Sequence, residues 1–248
     1  MTSPQLLIDG DLFLYKACSA AEFECNVEGD VWYLSTNLQQ AKDVWNSILD
    51  GIKRELESDD LVIVFSGKDD FRRSLCPNYK GNRKGKRKPM GYPAMVEFIH
   101  ATYGSKAVSM PCLEADDYMG ILATTPGSVE RIIVSDDKDM KTIPGRLFRL
   151  GGLSTISVDE ANLSWLMQTL IGDATDGYKG CPGVGEVKAT TILGKPGNPW
   201  ENVRQAFLKA GLTEEDAILQ ARLARILKYD DWDASAKQPI LWTPTASS

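Results

Sequence analysis

An α/β fold, with a central mostly parallel sheet flanked by helices and followed by a helical C-terminal region, is predicted by three features of this sequence. Short apolar runs at 5–8, 61–65 and 131–134 alternate with segments of helical period. Two of these runs stop at carboxylates: Ile8 is followed by Asp9-Gly10-Asp11, and Val134 by Ser135-Asp136-Asp137-Lys138-Asp139. From about Asp159 the strand signals fade and helical ones take over.

The three apolar runs read as parallel strands. Ligands of open parallel sheets bind beyond the carboxyl ends of the strands, so the acids after the first and third runs are expected to converge on one crevice. A basic segment, 71–103, lies between the second and third strands. In the helical region, 160–171 and 213–229 read as helices, the latter opening on the capping pattern Thr213-Glu214-Glu215-Asp216. A glycine-rich hairpin, Gly180-Cys181-Pro182-Gly183-Val184-Gly185, lies within 176–190, and the tail after about Ala234 reads as irregular. Length supports an α/β part at 1–158 and a helical part at 159–248, forming either one compact unit or a body with an appendage.

Composition narrows the classes. With 43% apolar and 25% charged residues the chain is an ordinary globular protein, not a disordered or fibrous one. No run of 18 apolar residues and no secretory pattern at the N-terminus occur, which predicts a cytoplasmic protein without a membrane partner. Cys18, Cys25, Cys76, Cys112 and Cys181 form no C-x-x-C pair and His100 is the single histidine, which argues against zinc, structural disulfides and histidine triads. The net charge of −6 hides a strong polarity: residues 71–88 hold eight basic side chains and no acid, leaving −14 on the rest. A basic patch of this kind is what a phosphate backbone binds.

Four acidic groups are candidate metal ligands: Asp9; Glu114 with Asp116 and Asp117; Asp137 with Asp139; Asp173 with Asp176. On a helix Glu114 and Asp117 share a face, with Asp116 flanking them. So many like charges in one place require a cation, and hard oxygen ligands suit Mg2+ or Mn2+, two ions or more, in phosphodiester hydrolysis. The alternative is a set of solvated acids and helix caps. In the basic run, Arg72, Lys80, Arg83, Lys84 and Lys86 are candidate phosphate contacts and Tyr79 a stacking platform for an unpaired base, against the alternative of a solvated loop. Gly180, Gly183 and Gly185 offer backbone amides, with Lys188, to a DNA phosphate; otherwise the segment is a cap and turn.

In order, Ile8-Asp9-Gly10-Asp11, Phe71-Arg72, Tyr79-Lys80-Gly81-Asn82-Arg83, Leu113-Glu114-Ala115-Asp116-Asp117, Asp137-Lys138-Asp139 and Gly172-Asp173-Ala174-Thr175-Asp176-Gly177 resemble the motifs of the 5′ nuclease (flap endonuclease) superfamily. The similarity spans about residues 5–190. It is strongest to the 5′→3′ exonuclease branch of T-odd short-tailed phages, through Pro89-Met90-Gly91-Tyr92 and Ala224-Arg225-Ile226-Leu227. The resemblance implies a PIN-like nuclease fold and metal-dependent cutting at or near 5′ ends of duplex, nicked, gapped or flapped DNA, extending to the RNA of RNA-DNA hybrids. It also implies roles in phage DNA replication, recombination and host DNA degradation. By motif match the eight acids form the metal cage, and Lys80 and Arg83 are catalytic groups at the gateway of an arch. The 176–190 hairpin implies a helix-three-turn-helix DNA grip, a place where relatives bind K+.

Two positions depart from that pattern. Relatives carry an aspartate just after the second strand, where this chain has Ser66-Gly67, with Asp69 or Asp70 as candidate substitutes; and the hairpin lysine, Lys188, stands one position late. Two other readings remain to be weighed: a DNA-binding replication accessory whose cage has decayed, and a haloacid-dehalogenase-type phosphatase, which Asp9-Gly10-Asp11 mimics.

Overall fold

The computed structural model describes residues 3–83, 85 and 87–244. Its chain opens with β1 (Gln5–Asp9) and passes without a loop into α1 (Gly10–Ala20). A separate antiparallel ribbon, β2 (Glu22–Glu28) with β3 (Val31–Thr36), leads to α2 (Leu38–Leu56) and β4 (Leu61–Ser66). One helical turn, α3 (Arg72–Leu75), precedes α4 (Tyr92–Tyr103), β5 (Ala107–Met110), α5 (Ala115–Thr124) and β6 (Arg131–Val134). The hairpin β7 (Gly145–Arg149) and β8 (Gly152–Ile156) is followed by α6 (Val158–Ile171), α7 (Glu186–Leu193), α8 (Pro199–Lys209) and α9 (Glu214–Ala224). A short ribbon, β9 (Trp232–Asp233) with β10 (Gln238–Pro239), comes last.

Local chemistry explains the boundaries. Asp9 ends β1 and caps α1, its carboxylate accepting from Leu12 N at 3.0 Å. Ala41, Trp45, Leu49, Ile52 and Leu56 recur at helical spacing along α2 and are all buried. Reciprocal capping boxes, Ser157 with Glu160 and Thr213 with Asp216, start α6 and α9.

The strand order is β5-β4-β1-β6-β7-β8, parallel except for the antiparallel β7–β8 pair. Sequence order therefore reverses at β1, which has β4 on one side and β6 on the other. Its carboxyl end is the switch point of the sheet, where a crevice opens. Against one face α1, α2 and α4 bury Leu14, Trp45, Met95 and Ile99. Against the other, α5 and the turn after β6 bury Met119, Met140 and Ile143. A further apolar cluster, built on Trp165, Leu170, Val203 and Phe207, joins α6 to α9.

Several sequence expectations need correction. The helix expected over 213–229 stops at Ala224, because Arg225 turns extended: its carbonyl accepts from Arg72 at 2.7 Å, and Leu227 N donates to Asp117 at 3.1 Å. Tertiary bonds override a local helical period. The tail after Ala234 is not wholly irregular. Its β10 strand pairs with β9, and Trp242 stacks edge-on against Trp165 and Trp200 at 4.9 and 4.7 Å. The strands β5, β7 and β8 are short and carry no clear alternation; β2 does alternate, Glu22-Phe23-Glu24-Cys25-Asn26-Val27-Glu28, and the β2–β3 ribbon was passed over all the same.

Close packing beneath the crevice depends on Gly67. A Cβ there would lie 1.9 Å from the Met110 carbonyl oxygen, while Gly67 N donates to Leu113 O at 2.8 Å. Gly67→Ala is expected to cost about 2–3 kcal/mol, read from the urea midpoint, since the obstacle is backbone. A cost under about 1 kcal/mol would show that the 110–114 segment moves freely.

Candidate active site

At the carboxyl end of the sheet lies a crevice of about 1090 Å³. Asp9 reaches it from β1, Glu114 and Asp116 from the start of α5, Asp137 and Asp139 from the turn after β6, and Asp173 and Asp176 from the turn after α6. Of the eight carboxylates expected in the cage, seven line this crevice. The eighth does not: Asp117 is fully buried behind it.

The loops that aim these acids are held by hydrogen bonds that use part of each carboxylate. Ser135 Oγ donates to Asp9 Oδ2 at 2.6 Å and accepts from Asp137 N at 3.1 Å, tying β6 to β1. Asp137 Oδ1 accepts from Asp139 N at 2.8 Å, and Gln168 of α6 donates to Asp139 Oδ1 at 2.7 Å. Asp173 Oδ1 accepts from Thr175 N and Asp176 N at 2.6 and 3.2 Å, closing the turn whose entrance Gly172 makes with φ +76°. Asp137, Asp139 and Asp173 are each held through Oδ1, whereas both oxygens of Asp9 are engaged, Oδ1 by Leu12 N and Oδ2 by Ser135.

Basic residues divide between rim and interior. Lys80 pairs with Glu114 and lies 3.7 Å from Asp176, and Arg83 donates to Asp176 Oδ1 at 2.6 Å, both on the crevice wall. Lys138 stands 3.7 Å from Asp173. Arg72, expected to face DNA, is only 2% exposed. Its guanidinium donates to both Asp117 oxygens at 2.7 Å and to the carbonyls of Leu223 and Arg225 at 3.0 and 2.7 Å. Arg72 is therefore an internal strut between α5 and the end of α9. Asp117 is its counter-ion, and its place in the capping box with Glu114 turns it inward. Glu114 is the cap of α5 and not part of its first turn; Arg72 Nη1 reaches both carboxylates, at 3.4 Å to Glu114 and 2.7 Å to Asp117, but only Glu114 lines the crevice.

Tyr79 is also corrected. Its ring is 3% exposed, and its hydroxyl lies 3.0 Å from both Glu114 Oε2 and Asp176 Oδ2, so it braces two acids and cannot stack on a base. In the hairpin, Gly180 is buried with its amide donating to Gln220 Oε1 at 2.8 Å, so it offers nothing to a phosphate, whereas Gly183 and Gly185 are exposed. Lys188 donates to the Gly183 carbonyl at 2.7 Å, so a K+ ion there would compete with an ammonium already in place. Lys84 and Lys86 lie outside the described residues.

Neither Asp69 nor Asp70 substitutes after β4. Asp70 faces Arg72 at 3.6 Å, away from the crevice, and Asp69 lies in the exposed turn. Ser66 lines the crevice instead, its Oγ accepting from Ala115 N at 3.1 Å to start α5. Sequence reasoning also passed over Asp11, Tyr92, Lys88 and Gln168, which touch or line the crevice. For Asp11 a signal existed, two residues after a strand end; Gln168 sat in a helical period with nothing to mark it.

The electrostatics are those of acids short of positive charge. Burial pushes Asp9 up to about 6 against the help of Ser135 and Leu12, and burial with Asp137 pushes Asp139 up to about 6. Asp116 is held well above the carboxylate range by burial and by Asp9, Glu114 and Asp137. Burial also opposes ionisation of Glu114, but Lys80 and Arg72 outweigh it and hold its carboxyl below the usual value. Among the described residues no three acids, cysteines or histidines already stand at ligand spacing around one point. The donor set is nonetheless all hard oxygen, and Asp9, Asp116, Asp137 and Asp139 have no basic partner within 4.0 Å among the described residues, so a small divalent cation fits the charge they lack.

A switch-point crevice lined by acids and rimmed by a lysine and an arginine defines an α/β protein built to handle phosphate esters. Residues 4–150 match the family model described as 5'-3' exonuclease, N-terminal resolvase-like domain. The chain belongs to this family of 5′-3′ exonucleases, and it is a nuclease of that class. It is 31% identical to the exodeoxyribonuclease of Enterobacteria phage T3, over 96% of this chain and 92% of the relative, and 31% identical to the exonuclease of Escherichia phage T7, over 96% and 93%. Its fold superposes on a bacteriophage T5 flap endonuclease, crystallised with DNA and metal ions, with a TM-score of 0.59 at 16% identity over 89% of this chain and 88% of the other. Family membership removes the phosphatase reading. Asp9-Gly10-Asp11 is here the junction of β1 with α1.

Proposed function

We propose that this chain hydrolyses phosphodiesters at or near the 5′ ends of DNA duplexes, nicks, gaps and flaps, with divalent cations, Mg2+ or Mn2+, in the crevice. The observation that carries the reading is the meeting of seven carboxylates from four separate loops at the switch point of the sheet. Asp9, Asp116, Asp137 and Asp139 would hold the cations, with Glu114, Asp173 and Asp176 completing the cage. Bound there, the ions supply an activated water and positive charge for the phosphate oxygens. The crevice groups address phosphates and not base edges, so the reading extends to the RNA strand of RNA-DNA hybrids. Gly183, Gly185 and Lys188 then meet the duplex backbone at the hairpin.

Within this reading Lys80 stabilises charge on the scissile phosphate. Its ammonium already sits between Glu114 and Asp176 on the crevice wall. Lys80→Ala is expected to slow single-turnover cleavage by about 100-fold while DNA affinity changes less than about threefold. If affinity falls and the rate at saturation does not, Lys80 is a phosphate anchor. Arg83, half exposed and paired with Asp176, is expected to act in the same direction.

The deciding experiment is single-turnover digestion of matched 5′-labelled and 3′-labelled duplexes, blunt, flapped and hybrid, with Mg2+ and with chelator. Metal-dependent loss from the 5′ end is expected, and fragment lengths separate exonucleolytic from flap cutting. Salt-dependent binding without cleavage of any substrate would instead favour a DNA-binding accessory protein, the reading that the Ser66-Gly67 departure supports.

A further inference from the structure

Three adjacent strands end at the crevice, and their ends differ. β1 ends in Asp9 and β6 leads to Asp137, but β4 ends in Ser66 and Gly67, and Gly67 has no room for a side chain because a Cβ would strike the Met110 carbonyl oxygen. The β4 end nevertheless has a carboxylate against it. Asp11, on the first turn of α1, accepts from Ser66 N at 2.8 Å through Oδ2 and from the Tyr92 hydroxyl at 2.5 Å through Oδ1. Tyr92 is itself buried, so its hydroxyl is a fixed donor.

Two such donors orient the Asp11 carboxylate while leaving a lone pair on each oxygen, and the side chain remains 30% exposed to the crevice that Asp9 and Asp116 also line. Among the described residues the nearest cation, Lys88 Nζ, lies 3.9 Å away and is itself drawn over the Tyr92 ring at 3.9 Å. An acid oriented by a backbone amide and a buried hydroxyl, with only the long Lys88 contact as a basic partner among the described residues, is placed to meet a further positive charge.

We propose that Asp11 is a positioning residue for the divalent cation of this site: from α1 it supplies the carboxylate that β4 lacks, holding the cation's water shell on the Ser66 side of the crevice. The inference rests on the metal-dependent reading above. Outer groups of this kind change metal affinity by about 10-fold to 100-fold when removed, with the direct ligands left in place. Asp11→Asn keeps the shape and an acceptor for Ser66 N, so the fold is preserved while the charge is lost.

The test titrates Mg2+ into wild type and Asp11→Asn without DNA, following Tm, and then measures cleavage across the same concentrations. Wild type is expected to show a saturable rise in Tm. Asp11→Asn is expected to need about 10-fold more Mg2+ for half the rise, with an unchanged metal-free Tm and with cleavage recovering at high Mg2+. An unchanged Mg2+ midpoint, whether cleavage falls or not, overturns the proposal, as does a variant whose metal-free Tm drops by several degrees without a change in that midpoint. If wild type itself shows neither a Mg2+-dependent Tm nor cleavage, the metal-dependent reading fails and the proposal falls with it.

Discussion

Arg72→Ala is expected to lower the unfolding free energy by about 3–5 kcal/mol, because it leaves a buried carboxylate without its partner. Asp117 is fully buried, and apart from Arg72 its hydrogen-bond partners among the described residues are the amides of Glu114 at 3.2 Å and Leu227 at 3.1 Å. The carbonyls of Leu223 and Arg225 lose their donors in the same step. Urea denaturation checks the size, and a loss below about 1 kcal/mol would show that the strut carries little. Arg72→Met combined with Asp117→Leu is expected to recover much of the loss, since a well-packed apolar pair avoids the uncompensated charge. Cleavage by the double variant is expected to stay low, because Asp117 also shapes the start of α5 that aims Glu114 and Asp116.

The second large effect separates activity from stability. Asp9→Asn is expected to reduce single-turnover cleavage by more than about 1000-fold at saturating Mg2+, if Asp9 binds the cation as proposed. Metal-free, the same variant is expected to be more stable than wild type at pH 8, by about 2–3 kcal/mol or roughly 5 °C in Tm. The sign follows from linkage. The native protein raises Asp9 to about 6 from an ordinary 3.8, so it binds more protons than the unfolded chain between those values. The Asp9 contribution is fully present below about pH 4, falls as pH rises through about 6, and is a cost above it. Asparagine keeps an acceptor for Leu12 N and carries no charge, so its advantage is expected to be full at pH 8, about half as large at pH 5 and gone below about pH 4. A variant less stable than wild type at pH 8 would mean that the capping and Ser135 bonds outweigh the buried charge.

Much of the site was legible in the sequence because strand ends and acids are local features. The runs at 5–8, 61–65 and 131–134 are short and bounded, and residues following parallel strands have one place to go. Seven acids were placed by that rule and by motif order. Arg72, Asp117, Tyr79 and Gly180 were misplaced for a shared reason: residue type states which bonds a group can make, not which partner claims it. In Arg72 the guanidinium is claimed by Asp117 and two carbonyls more than 150 residues away along the chain. In Gly180 the amide is claimed by Gln220.

By itself, then, the sequence determined the class of fold, the family motifs and the acid-rich chemistry, all of which follow from patterns of adjacent residues. Only the tertiary structure decided which charges face the crevice and which are consumed inside, where α9 stops, and that Asp11 lies against the end of β4. Those outcomes depend on hydrogen bonds between segments distant in the chain, whose energies local propensity does not contain.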